Sequence, residues 1–412
     1  MNGAWLSRVA RLLAAAACFW GSSVLADVPG LDAELDLRLV AADTDLTSFT
    51  DGGLGELRFD EDHDGLRLGR LLLAYQAHLL ETLSAEVALS ATGDNDKNPI
   101  DVTEAFLEWR PYPRSMWRTR ARLGAFYPPV SLENRRVGWQ SLYSISPSAL
   151  NTWVGEEIRT LGAEVEVTAA GASKGRSFDV SAVASVFGWN DPMGVLIFER
   201  GWAIHDRQTA LFGRLPDPLG AGTTRHGLEL FHEIDNRAGY YVGGEFRYTD
   251  RVVLRALHYD NRGDPAAMNE YESAWLTRFD SVGARIELPA GFTVISQWMT
   301  GDTSVGDSDD GRGFLIADYD AAFLLVSKTF GRQRLTVRYD TFETDTVRNE
   351  AIFDGSQDGE AWTLAYIFEP NEHWRLAAEA LRNDTTLAPR ALLGLAPQAV
   401  ERTLQLAVVY HF

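Results

Sequence analysis

Arg118, Arg120 and Arg122 stand at alternate positions between Trp117 and Leu123. Alternate side chains of an extended chain share one face, so this spacing stacks three guanidiniums into a ladder. A guanidinium stays charged at every working pH and offers its N–H donors in a flat fork that suits carboxylates and phosphates. The chemistry open to such a ladder is non-covalent: it attracts and orients anions. Glu104 and Glu108 in the preceding segment, with Glu133, Arg135 and Arg136 in the following one, complete the candidate pore-lining set. Two readings stay open at this level. The ladder is an anion track, or Glu86, Glu104, Glu108, Glu164 and Glu166 neutralise it.

Other reactive residue types lack a working pattern. The one cysteine, Cys18, falls in the N-terminal leader, so a mature chain has no thiol. His205, His226 and His232 lie in one long connection but without HExxH or HxH spacing, and read as loop histidines rather than metal ligands. Asp60, Asp62 and Asp64 before Gly65 copy the start of a calcium loop, yet Leu71 stands where the closing glutamate belongs. A solvated acidic loop, or one bridged to surface lipopolysaccharide by divalent ions, fits better; Asp307, Asp309 and Asp310 read the same way. No G-x-S-x-G elbow occurs. No enzyme activity, cofactor or metal is expected.

The elements that must position the arginines follow from periodicity. The chain has 412 residues, 45% hydrophobic and 23% charged, with 38 basic against 58 acidic residues and a net charge of −20. That balance argues against nucleic acid, which needs a basic face. A mean hydropathy of −0.16 is too polar for a helical membrane protein. Residues 1–26 read as a signal peptide, with Arg8 and Arg11 before an apolar stretch and Val24-Leu25-Ala26 at the cleavage point. No later stretch is apolar for long enough to cross a bilayer as a helix. Period-two alternation dominates instead, from Leu31–Leu39 to Leu404–Phe412, and sixteen strands can be read. They run roughly 31–40, 66–80, 83–92, 101–110, 117–127, 157–169, 177–189, 239–249, 251–261, 277–288, 292–301, 317–330, 333–343, 360–368, 373–383 and 402–412. Long connections follow odd strands and short ones follow even strands. The expected fold is therefore all-β: a 16-stranded antiparallel transmembrane barrel spanning 27–412, with short periplasmic turns and long extracellular loops. An even count lets first and last strands pair and removes the edge.

Charge cost sets the register. An arginine facing lipid costs about 2–4 kcal/mol at mid-depth, so the ladder faces the lumen and Trp117, Ala121 and Leu123 face outward. In strand 251–261, Arg255 prefers the lumen while His258 then points outward, and the pattern does not decide. Trp109, Trp117, Tyr127, Tyr240, Tyr248, Phe368, Trp374, Tyr410 and Phe412 lie near strand ends and suggest aromatic girdles. Sixteen strands enclose an aqueous lumen. Residues 128–156 carry Val130, Leu132, Trp139, Leu150 and Trp153, which favours a loop folded into the lumen as a constriction, with Ser146 as helix cap and Pro147 at the first position. The long segment 190–238 resists a similar reading; its apolar patches are expected on the loop before the sixth strand or at a subunit interface.

Glu104-Ala105-Phe106-Leu107-Glu108, then Leu123-Gly124-Ala125-Phe126-Tyr127-Pro128-Pro129 and Ser131-Leu132-Glu133, resemble phosphate-selective porins of the O/P type among Gram-negative outer-membrane porins. The final aromatic, Phe412 after Tyr410, resembles the signal read by the barrel-assembly machinery. The resemblance implies an outer-membrane homotrimer among lipid and lipopolysaccharide, with a water-filled channel for passive diffusion of small polar solutes or anions. The near absence of lysine (Lys97, Lys174 and Lys328) sets the chain apart from the phosphate-specific members. The rival readings are a barrel enzyme of lipase or protease type and a secreted β-sandwich binding protein.

Overall fold

The computed structural model describes residues 29–94, 100–217, 219, 227–270 and 272–412. The signal segment 1–26, Cys18, Lys97 and His226 lie outside them. Sixteen strands form one closed antiparallel barrel. They are β1 (Leu31–Asp43), β2 (Gly65–Leu80), β3 (Leu83–Ala91), β4 (Asp101–Trp109), β5 (Trp117–Phe126), β6 (Thr160–Ala169), β7 (Phe178–Gly188) and β8 (Gly239–Tyr248), then β9 (Val252–Asp260), β10 (Leu276–Leu288), β11 (Phe292–Val305), β12 (Leu315–Phe330), β13 (Gln333–Arg348), β14 (Gln357–Phe368), β15 (Trp374–Leu387) and β16 (Gln398–His411). β1 pairs with β16 from Glu34↔His411 to Asp43↔Arg402, so no edge remains, as a sheet in hydrocarbon requires. Two stacked sheets, as in a sandwich, are not what these strands build.

One end of the barrel carries both termini and tight turns such as Glu81-Thr82 and Gly331-Arg332; the other carries the long connections 44–64, 127–159 and 189–238. Alternation sorts the faces. Trp117 and Leu123 are exposed on the exterior while Arg120 and Arg122 point inward. β9 is resolved: Arg255 shares the inner face with buried Val253, Leu257 and Tyr259, and His258 points out, its Nδ1 2.9 Å from Asp280. The later strands run beyond their apolar bands. β13 continues to Arg348 through Thr341, Thr344 and Thr346, where polar residues occupy both faces and hydropathy loses its period, although threonine suits a strand.

The lumen is not an open tube. A helix, α1 (Ala149–Glu157), is buried at every residue, and so is a short second one, α2 (Val195–Glu199). Its cap is Ser148, not Ser146: the Ser148 hydroxyl accepts from the Asn151 amide at 3.3 Å, and Pro147 precedes the helix. Trp153 meets Trp202, Phe279 and Tyr319 edge-on at 5.3–5.8 Å between ring centres. Leu150, Val154, Ile197 and Ile204 join the same cluster, packed on inward residues of β7–β15. Leu132 and Tyr143 pack on Val253, Ile295 and Phe323. These two loops thus pack inside the cylinder, joined by the 44–64 connection through Leu57 and through Glu56, which accepts from Gln357 and Asn383. Residues 128–156 fold into the lumen, and 190–238 packs on α1, within the loop before β6, as well as on the 44–64 connection and the lumen wall.

The two in-folded segments lock together through buried charge. The Glu157 carboxylate accepts from the backbone N–H of Gly194 (2.8 Å) and Leu196 (2.9 Å) and from the Trp153 indole. Burial pushes its pKa up to about 7. Glu156 pairs with Arg200, and His205 lies 3.3 Å from it. Burial opposes ionisation of Glu156, but Arg200 and His205 outweigh it and hold the carboxyl low.

Candidate functional site

Beside β3–β9 the lumen stays open as a cavity of about 1000 Å³. The turn after β4 (Arg110 to Pro113) lines it at the short-turn end, and Tyr127, Pro128 and Trp139 line its inner part. Eight of its lining side chains are arginines and five are carboxylates. In a chain of net charge −20 this is a local reversal of sign.

The ladder is positioned by register. β5 pairs with β6 so that Arg118 faces Thr168, Arg120 faces Glu166 and Arg122 faces Glu164. The three arginines are therefore not equivalent. Arg122 donates through Nε and Nη2 to both Glu164 oxygens at 2.9 Å, and its guanidinium lies 4.1 Å from the Phe126 ring centre. Arg120 reaches Glu166 at 2.6 Å and Glu164 at 3.3 Å. Arg118, at the cavity wall, has no ion-pair partner among the described residues. Neutralisation thus describes Arg120 and Arg122, while Arg118 is left to the solvent.

Across the cavity, Arg247 (2.7 Å) and Arg255 (2.5 Å) share one carboxylate, Glu245. Arg255 also donates to the Ser131 carbonyl at 2.7 Å, tying the loop to the wall. Arg135 projects from this loop into the cavity without an ion pair among the described residues. Partial burial, with Arg285, Arg247 and Arg255 nearby, lowers its pKa. Arg136 turns toward the termini, with Glu34 at 3.4 Å and the His411 Nε2 at 2.9 Å.

The inner lining is aromatic. Tyr127 stacks on Trp139 at 4.3 Å, and the Arg159 guanidinium lies 3.5 Å from the Tyr127 ring centre. Tyr127 is buried here and is no girdle residue. The Glu104 carboxylate accepts from the Tyr127 amide at 3.2 Å. Gly138 (φ 67°) and Trp139 (φ 55°) are both left-handed, a conformation that costs a bulky residue about 1–3 kcal/mol. The Trp139 indole offsets it by donating to the Asn151 carbonyl at 3.2 Å, which ties the cavity lining to α1.

Glu133 does not line the cavity. It is fully buried and accepts from the Ser148 amide (2.8 Å), the Ser148 hydroxyl (2.5 Å) and the Asn151 amide group (2.8 Å), so it anchors the start of α1. Its polar cap partners lie fifteen or more residues on, which spacing alone does not reveal. Glu108 is nearly buried, 2.6 Å from Arg110 and 3.9 Å from Arg120, behind the ladder. Arg247 was not among the expected residues, although its alternation with Glu245 already marks a wet face. The acidic run at 60–64 forms a tight turn: Asp60 accepts from the Ser48 amide (2.7 Å) and the Asp62 amide (3.0 Å) and lies 2.6 Å from the His63 ring. His232 lies 2.9 Å from Glu272.

The barrel is similar in fold to the outer membrane channel DcaP of Acinetobacter baumannii. The match has 11% identity and a TM-score of 0.54, covering 93% of this chain and 96% of that one. It is also similar to a loop L8 deletion mutant of OmpT, an outer membrane protein of Vibrio cholerae. There the identity is 10% and the TM-score 0.51, covering 93% and 99%. No family model matches the sequence, and no curated protein does either. At such identities the likeness is one of fold.

Proposed function

We propose that the chain is a porin-like channel in the outer membrane of a Gram-negative bacterium, passing small anions down their gradients. The observation that carries this reading is the excess of arginine over carboxylate around the lumenal cavity of an otherwise acidic protein. Cationic groups in a low-dielectric cleft raise the local anion concentration and favour anion entry. The closed barrel supports the membrane setting, and short turns with both termini at one end support a periplasmic face there. The fold shared with a protein described as an outer membrane channel agrees with it.

Arg118 and Arg135 are assigned the attracting role, because they stand free at the cavity; Arg120, Arg122 and Arg136 shape the wall. In planar bilayers under a chloride gradient, the wild-type reversal potential should show anion preference. Arg118→Ala with Arg135→Ala should move it toward zero. An unchanged potential removes these residues from the mechanism. Phosphate added as a blocker tests the narrower phosphate-selective reading, and native mass measurement tests the homotrimer that the porin resemblance implies. Phe412 packs on Tyr410 at 4.8 Å and donates its amide to the Ala33 carbonyl, a closed end suited to recognition during barrel assembly. The enzyme alternative predicts hydrolysis of lipid or peptide by the refolded barrel; none is expected.

A further inference from the structure

A second concavity lies on the outside of the barrel, far from the arginine-rich lumen. It is a trough of about 490 Å³ across the outer face of β13–β16 and β1. Register explains it. Ala41, Leu404, Ala380, Leu364 and Val337 lie side by side in one outward row. The small alanines leave a dent between Leu404 and Leu364, and Trp362 stands half-exposed as its wall. In the adjoining row toward the long loops, Arg382 and Arg402 are direct cross-strand partners.

Two like charges placed opposite one another repel. Each is tethered through a single guanidinium nitrogen, Arg382 to Asp384 at 2.9 Å and Arg402 to Asp43 at 2.7 Å. Both remain half-exposed with further N–H donors free. Elsewhere the outward rim is acidic in rows. Asp302, Asp318 and Asp345 face one another across strands, and so do Asp320, Glu343 and Asp358. A phosphate is repelled along that arc; at the arginine pair Asp43, Asp384 and the facing Glu360 are set against two guanidiniums whose remaining donors stay open to a phosphate. An apolar dent on a bilayer-facing wall must also be filled, since unfilled contacts are lost outright.

We propose that this trough binds one phosphorylated glycolipid of the outer leaflet, an acyl chain lying over Ala380 and a phosphate held between Arg382 and Arg402. Arginine forks hold phosphate through paired, charge-assisted hydrogen bonds. The proposal rests on the long-loop end facing the cell exterior.

The test uses the detergent-purified barrel and native mass spectrometry, with bis-phosphorylated lipid A, its dephosphorylated form and inorganic phosphate as probes. One lipid A should remain bound to the wild type, and the dephosphorylated form should be held about tenfold more weakly. Arg382→Gln with Arg402→Gln should lose lipid A by a similar factor, and Ala380→Trp should lose it with both arginines intact. Heat-modifiable mobility on gels reports that each variant is folded. Retention of lipid A by both folded variants overturns the site. So does competition by inorganic phosphate alone at lipid A concentrations, or an Ala380→Cys crosslink between two copies, which assigns the trough to a subunit contact. Reversal potentials read the channel reading separately and should be unchanged by all three substitutions.

Discussion

Arg118 and Arg122 share a face and a strand, yet their neighbours give them opposite duties. Arg122 neutralises Glu164, a carboxylate with no solvent access that also accepts from the Tyr241 hydroxyl at 2.5 Å. Arg122→Ala leaves the buried Glu164 only its longer ion contact with Arg120 and should lower stability by about 3 kcal/mol, read as a lower urea midpoint for barrel unfolding. Arg118 has no such partner. Arg118→Ala should stay within about 0.5 kcal/mol of wild type in the same measurement while reducing anion preference. The alternation in the sequence placed all three arginines on the wet side. It did not separate them, because the distinction lies in which residue of β6 stands opposite, a register set by pairing rather than by local pattern. Glu133 shows the same limit: a carboxylate beside two arginines reads as part of a charged mouth, yet its partners are a hydroxyl and amides at the start of a helix and the distant Arg338 at 3.7 Å.

At the level of elements, the strands were legible throughout, because each has one face in an apolar medium and one in a polar one. Their far ends were not, since beyond the bilayer both faces are polar. The two in-folded loops are harder. Residues 127–159 betray themselves by tryptophans and leucines with nowhere else to go. Residues 189–238 carry similar apolar groups, and their mates lie on α1, on the 44–64 connection and on inner positions of several strands distant in sequence. The lock between the loops has a pH dependence with a definite sign. Glu157 is raised by burial to about 7, so the packed state holds a proton that the opened loop releases. Its contribution is complete below the ordinary carboxylate range and is lost as pH rises through about 7. Melting of the in-folded loops, followed by tryptophan fluorescence, should therefore fall between pH 5 and 8, and Glu157→Gln should flatten that slope. Glu156 works in the opposite sense: held low by Arg200 and His205, it stabilises at neutral pH and ceases to do so in stronger acid. Deleting 149–157 should widen the lumen and raise single-channel conductance; an unchanged conductance would show that the current path avoids α1.

On the scale of the whole molecule, the cylinder is asymmetric. Along β9–β15 the inner wall is buttressed by helices and aromatic rings, whereas β3–β6 and the short-turn half of β7 look into water. The buttressed strands β10–β15 span 12 to 16 residues, and β3–β7 only 9 to 11. Amide protons of β3–β7 should accordingly exchange with deuterium sooner than those of β10–β15, and uniform exchange around the ring would contradict this picture. A hoop with one stiff arc and one thin arc yields at the thin arc. The first rupture under load should therefore open the seam nearest the arginine-lined cavity, so the residues of the proposed ion path also mark where the cylinder is weakest.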